Sequence, residues 1–143
     1  MPSVKYSDLE MALSLVSAGY MIDTAAYIDR KNGKIYCKSS ELDEYIEVPD
    51  YVGDSSLYAT VPGKHDLDLG KRLVLRFTAL ELPGSLDQVY AIFRRQGAYS
   101  RYKDLLEGHG LLEKWYRYEE AAIEAALREW AEGEGFTVEP SEN

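Results

Sequence analysis

Leu57-Tyr58-Ala59-Thr60-Val61-Pro62-Gly63-Lys64-His65-Asp66-Leu67-Asp68-Leu69-Gly70-Lys71-Arg72-Leu73 is the stretch in which the chain changes its period. Ahead of Pro62-Gly63 the run Leu57 to Val61 has the short, aromatic and β-branched character of a strand, and the Pro-Gly pair closes it. Behind it, Leu69, Leu73, Phe77 and Leu80 recur at helical spacing, so one stripe of a helix should carry all four inward. That helix is expected to start near Asp66 or Asp68 and to end before Pro83-Gly84, because the residue ahead of a proline is pushed out of the helical region. Strands gathered before this point and helices after it indicate the α+β class rather than an alternating one. The expected fold is a small antiparallel sheet of about three strands, with an N-terminal helix and four C-terminal helices packed on it.

Upstream, Ala25-Ala26-Tyr27-Ile28-Asp29 and Lys34-Ile35-Tyr36-Cys37-Lys38 flank Arg30-Lys31-Asn32-Gly33, whose Asn-Gly pair suits the positive backbone angles of a hairpin turn. In the second run Ile35 and Cys37 alternate with Lys34, Tyr36 and Lys38, which predicts one packed and one wet face. A lone hairpin is marginal, and Leu57 to Val61 supplies the third strand. Ser7-Asp8-Leu9-Glu10 has capping-box spacing and opens a helix over about 7–18, with Leu9, Ala12, Leu13 and Val16 inward and Gly19 beyond its last turn. Between hairpin and third strand, residues 41–54 form an acidic, turn-rich connection containing Pro49 and Gly53.

Downstream, Ser85-Leu86-Asp87-Gln88 is a second capping box, opening a helix with Val89, Ile92 and Phe93 inward and Gly97 as its stop. Tyr102, Leu105 and Leu106 mark a short helix ended by Gly108 or Gly110. A final helix over about 111–132 carries Leu112, Trp115, Ala122, Ile123, Ala126, Leu127 and Trp130 at helical spacing, and Gly133 and Gly135 end it. With no repeat or linker, the expectation is a single domain over 1–143, made of a helix and strand region to about 62, a helical region over about 66–136 and a frayed tail over 137–143.

Composition narrows the functional classes. With 143 residues, 45% hydrophobic and 29% charged, the chain has enough apolar side chains for one ordinary core. No apolar run approaches the roughly 20 residues of a membrane span, and Asp8 and Glu10 near the start speak against a signal peptide, so a cytoplasmic location is expected. The one cysteine, Cys37, has no partner for a disulfide or a redox pair and is expected in or near the core. A formal net charge of −9 disfavours nonspecific nucleic-acid and anionic-lipid binding. The charge is segmented: residues 41–54 carry six acids and no base, residues 71–103 seven bases against two acids, and residues 104–143 eleven acids against three bases.

Motifs for chemistry are sparse. His65-Asp66-Leu67-Asp68 could contribute metal ligands or acid-base groups, so a metal-dependent hydrolase at His65/Asp66 is one alternative. A metal needs more converging ligands than this, and His109 stands between two glycines with no ligand spacing to the group, so Asp66 or Asp68 is better explained as a helix cap. Gly84-Ser85-Leu86 lacks the nucleophile-elbow pattern, and Gly108-His109-Gly110 lacks the third glycine of a dinucleotide fingerprint. Nothing implies a cofactor. What remains is Phe93-Arg94-Arg95-Gln96-Gly97-Ala98-Tyr99-Ser100-Arg101-Tyr102-Lys103, four bases and three aromatics with no acid around a glycine. Phe93 and Tyr102 suit a core, which leaves Arg94, Arg95, Tyr99, Arg101 and Lys103 as the candidate partner-binding residues, unless these bases pair with the acidic last helix.

Gly97-Ala98-Tyr99-x-Arg101-Tyr102-Lys103-Asp104, Gly110-Leu111-x-x-x-Trp115-Tyr116 and Ala125-Ala126-Leu127-x-x-Trp130, together with Pro62-x-Lys64-x-Asp66-Leu67-x-Leu69-Gly70, resemble the bacterial "uncharacterised protein family 0158". The resemblance covers about residues 58–136, and the ending Glu132-Gly133-Glu134-Gly135 departs from it. It implies a bacterial, cytoplasmic protein; because that family has no established activity, it transfers no site. The expectation is a nonenzymatic protein-interaction or regulatory module with another protein as partner. An RNA-directed accessory protein using Arg94, Arg95, Arg101 and Lys103 is the alternative.

Overall fold

The computed structural model describes residues 2–17, 24–39 and 49–140. Among them are five α-helices, a three-stranded antiparallel sheet and a two-stranded parallel pair, an α+β arrangement. Contacts divide the chain into two compact units, residues 1–67 with 124–143, and residues 68–123.

In the first unit β1 (Ser3–Lys5) leads directly into α1 (Tyr6–Ser17), which buries Tyr6, Leu9, Ala12 and Leu13. The expected start at Ser7 falls one residue inside the helix, Val16 is half-buried, and Gly19 lies outside the described residues. The hairpin forms where its sequence predicts: β2 (Thr24–Asp29) pairs antiparallel with β3 (Ile35–Ser39), and β4 (Tyr58–Thr60) takes the other side of β2. Strand order is therefore β3-β2-β4, and α1 packs mainly against the central strand and also touches β3. This corrects the expected alternation in β3. Ile35, Tyr36 and Cys37 are all half-buried, as befits an edge strand, whereas Ala26 and Ile28 of β2 and Ala59 of β4 are fully buried. Most of the acidic connection, residues 41–48, lies outside the described residues.

The parallel pair is the element that sequence periodicity misses. β5 (Thr137–Glu139) pairs in register with β1, and Thr137 N–H donates to the Pro2 carbonyl at 2.9 Å. The tail expected to fray from 137 is therefore a strand through 139. Each of these strands is three residues long with one apolar side chain, too short to show a period, and its partner is at the opposite end of the chain.

Only one member of the Asn-Gly pair adopts a left-handed backbone. Gly33 has φ of +75°, while the Asn32 side chain accepts the Lys34 N–H at 2.9 Å and the Asp29 carboxylate accepts that of Lys31 at 2.8 Å. The chain packs so closely here that a Cβ on Gly33 would collide with the Ser3 carbonyl oxygen. Beside it Arg30 donates to the Ser55 carbonyl at 2.8 Å, to the Glu134 carbonyl at 2.9 Å and to the Glu134 carboxylate at 3.2 Å. One side chain thus holds the hairpin turn, the loop ahead of β4 and the end of the last helix.

In the second unit α2 (Lys71–Glu81) starts later than Asp66 or Asp68. Asp68 has φ of +57°, which a right-handed helix cannot contain, and Gly70 occupies the N-cap position with no side-chain hydrogen bond. Asp68 makes an exposed pair with Arg72 at 3.5 Å. Leu69, Leu73 and Phe77 are buried as expected, but Leu80 is 68% exposed, and Val74 and Thr78 fill the stripe instead. A 3-10 turn at Pro83–Ser85 precedes α3 (Leu86–Ile92); Ser85 is at the N-cap position yet makes no side-chain cap bond. Helix α3 ends four residues short of the expected stop, and Gly97 (φ +73°) opens α4 (Ala98–Gly108). Helix α5 (Leu112–Gly133) contributes its residues to Ile123 to this unit and the remainder to the first. Trp115 and Leu127 are buried; Ile123 and Trp130, expected beside them, are half-buried.

Two outcomes test the first unit. Gly33→Ala places a Cβ against the Ser3 backbone and forces a left-handed alanine, so it should cost more than the roughly 1–2 kcal/mol of that backbone conformation alone, read by urea unfolding. Arg30→Ala should destabilise by about 1–3 kcal/mol, whereas Glu134→Gln, which keeps both carbonyl bonds, should cost under about 1 kcal/mol.

Candidate functional site

The second unit is organised by a continuous chain of aromatic rings. Phe77 from α2 meets Trp115 of α5 at 5.3 Å between centroids, Trp115 meets Tyr102 of α4 at 5.4 Å, Tyr102 meets Phe93 at 5.8 Å, and Phe93 meets Tyr99 at 5.1 Å. All four pairs are edge-to-face, the arrangement in which the positive ring edge meets the negative face. Tyr118 packs on both Phe77 and Trp115. Thr78 donates its hydroxyl to the Val74 carbonyl at 2.8 Å, so the Tyr102 hydroxyl, 3.4 Å away, is the donor in the contact between the two. The buried Trp115 indole N–H has no hydrogen-bond acceptor among the described residues, and the Trp115 ring packs against Phe77, Tyr102 and Tyr118.

This scaffold sets where the candidate residues lie. Phe93 follows α3 directly and is fixed by Tyr99 and Tyr102, which pins the turn carrying Arg94 and Arg95. Arg101 sits one turn into α4 and donates through its guanidinium to the Gln96 carbonyl, back across that turn. Arg94, Arg95 and Arg101 thereby line one open groove of about 350 Å³, completed by Gln88, Ala91 and Ile92. All three arginines are exposed, and none has a carboxylate within ion-pair distance among the described residues. The acidic last helix pairs elsewhere: Glu113 with Arg117, Glu124 with Arg128, while Lys114 reaches Glu81 at 2.9 Å.

Tyr99 and Lys103 do not line that groove. Residues two apart on a helix point about 200° from each other, so Tyr99 and Lys103 leave α4 on other sides from Arg101. Tyr99 is 44% exposed, with its ring edge-on to Phe93. Lys103 is half-buried and places its ammonium 5.5 Å from the Tyr116 ring centroid, so its charge is already engaged. Sequence reasoning missed the wall of the groove, although Gln88, Ala91, Ile92 and Arg95 stand at i, i+3, i+4 and i+7, the stripe of one helical face.

Charge also divides by unit. Residues 68–123 hold nine bases and eight acids, a net of +1, so the acidic excess of the chain, −10, belongs to the other unit. At the start of the second unit Arg72 and Arg76, with Asp68 and Leu75, line an open hollow of about 300 Å³. The other chemical candidates belong to the first unit. His65 is exposed, and the Asp66 carboxylate accepts the Gly63 N–H at 3.0 Å, capping the turn ahead of Leu67 instead of the helix. No group of three or more His, Cys, Asp or Glu is placed to hold a metal among the described residues. Burial pushes the half-buried Cys37 thiol up, the opposite of what an activated thiolate requires. No helix among the described residues is long and apolar enough to cross a membrane.

Burial raises the Tyr99 phenol above its ordinary value, with the Glu119 carboxylate adding to it. Burial raises Tyr102 as well. Both rings therefore keep their protons in the fold at pH values where the unfolded chain, with tyrosine near about 10, releases them, so stability falls as pH rises through that window. Urea unfolding followed by tryptophan fluorescence should show this alkaline loss, and Tyr102→Phe should reduce its slope; an unchanged slope would show that Tyr102 is not part of it.

Compared with protein-family models, curated proteins and solved structures, the chain matches none.

Proposed function

We propose that the protein works as a nonenzymatic interaction module that docks an acidic segment of another protein on the face carrying Arg94, Arg95 and Arg101, with Tyr99 and Lys103 at its margin. The observation that carries this reading is that three exposed arginines line one groove and none is neutralised by a carboxylate among the described residues. An arginine fork without a carboxylate partner has donors directed into solvent, and arginine beside aromatic rings is the composition enriched where proteins bind one another. The overall charge of −9 does not oppose an acidic ligand here. The unit that holds the groove has a net of +1.

Protein is favoured over RNA by the lining itself. Sequence-tolerant binding of single strands depends on aromatic rings open for base stacking, and the groove offers Ala91 and Ile92 instead. Tyr99, the nearest exposed ring on α4, has one side taken by Phe93. The resemblance to the bacterial "uncharacterised protein family 0158" belongs to the same proposal and supplies no binding residue.

The test is isothermal titration with a degenerate pool of acidic peptides rich in Glu, Asp and Leu, beside the matching Gln/Asn pool. The acidic pool should bind and the amide pool should not. Changing Arg94, Arg95 and Arg101 together to Gln should remove about 1–3 kcal/mol of binding, the sum of three exposed charge contacts, with the far-UV circular dichroism unchanged. Equal affinity in wild type and the triple variant, or preference for single-stranded RNA over the acidic pool, would overturn the reading.

A further inference from the structure

Three arginines lining one small groove offer more donors than a carboxylate can use. A carboxylate has two oxygens, which one planar guanidinium satisfies in a bidentate pair. A phosphate monoester presents three terminal oxygens and close to two negative charges at neutral pH, so it can accept from several arginine forks together. The arrangement of the groove follows that second pattern. Arg94 and Arg95 come from the turn after α3, Arg101 comes from α4, and the two supports are tied by the Arg101 bond to the Gln96 carbonyl. That bond holds the Arg101 side chain in place before any ligand arrives, which lowers the ordering cost of binding. Phe93, locked between Tyr99 and Tyr102, does the same for the backbone of Arg94.

We infer that the groove lined by Arg94, Arg95 and Arg101 recognises a phosphorylated serine or threonine in the docked segment. This rests on the docking of an acidic protein segment proposed above and names the group that segment presents. The phosphoryl oxygens take the guanidinium donors, Gln88 offers an amide to the same site, and Ala91 and Ile92 form the apolar wall for the carbon side of the residue. A volume of about 350 Å³ is at the small end of ligand sites, enough for one phosphorylated side chain and its neighbours. No aromatic residue lines it, so a nucleotide base has no platform there.

The experiment is fluorescence anisotropy on the full chain with three degenerate peptide pools that differ only at a central fixed residue: serine, phosphoserine or glutamate. The phosphoserine pool should bind about tenfold or more tighter than the glutamate pool, and the serine pool more weakly than either. Between about pH 7.5 and about 5.5 the phosphoserine affinity should fall as the dianion takes up a proton near pH 6, while the glutamate affinity stays level. Arg101→Lys keeps the charge but loses the planar fork, so it should weaken the phosphoserine pool more than the glutamate pool. Equal binding of the phosphoserine and glutamate pools, both lost in the triple Arg→Gln variant, would overturn the phosphoryl inference and leave the acidic-segment reading standing. No binding of either pool would overturn both. Tighter binding of a 5′-phosphorylated single-stranded RNA than of the phosphoserine pool would also overturn it, by moving the site to nucleic acid.

Discussion

The edge-to-face contact between Trp115 and its neighbours, Phe77 on one side and Tyr102 on the other, is the interaction on which the second unit depends. Three helices contribute one ring each, and together these rings occupy the interior that aliphatic side chains such as Leu73, Val89 and Leu106 complete. Large aromatic side chains dominate core energetics because each buries much apolar surface, and their preferred ring geometry also fixes helix orientation more narrowly than aliphatic packing does. The unsatisfied Trp115 N–H is a cost accepted for this arrangement. From the same ring chain the contacts run outward through Phe93 to Tyr99, so the turn bearing the arginines is attached to the aromatic core of the unit.

The first unit solves a different problem with different means. Its strands are short, and a three-stranded sheet with two open edges gains little from hydrogen bonds alone. Stability comes from Ala26 and Ile28 facing Leu9 and Leu13 side of the core, and from joining the chain's two ends in β1 and β5. Gly33 permits the close approach of the hairpin turn to Ser3, and Arg30 closes the remaining polar groups around that turn with three hydrogen bonds. A charged side chain used this way is fully engaged and contributes to structure. Arg94, Arg95 and Arg101 lack such carboxylate partners among the described residues, and that contrast within one protein is what separates a structural arginine from a candidate binding one.

The separation of charge bears on how a net value should be used. A total of −9 argues against phosphate-bearing ligands only if the charge is evenly spread, and here one unit carries −10 while the other carries +1. Screening limits the reach of surface charge to about a Debye length, so a local cluster of three arginines can differ in sign and selectivity from the molecule as a whole.

Periodicity and turn residues in the sequence determined the class of the fold, the hairpin at Asn32-Gly33, the third strand and the existence of each α-helix, because those features depend on neighbours within about two turns. Local pattern also singled out the basic-aromatic block at 93–103. It misplaced the start of α2, since nothing in Asp66-Leu67-Asp68 reveals the left-handed backbone at Asp68, and it put Leu80 inside because a stripe of spacing does not say where a helix loses its cover. Only the tertiary structure joined β1 to β5, three-residue segments with no period and partners more than a hundred residues apart. It alone also divided the candidate residues, engaging Lys103 with Tyr116 and gathering Arg94, Arg95 and Arg101 around a wall of Gln88, Ala91 and Ile92. The physical reason is common to both: sequence spacing fixes which side chains share a face of one element, whereas pairing of distant strands and convergence across a turn depend on where separate elements pack.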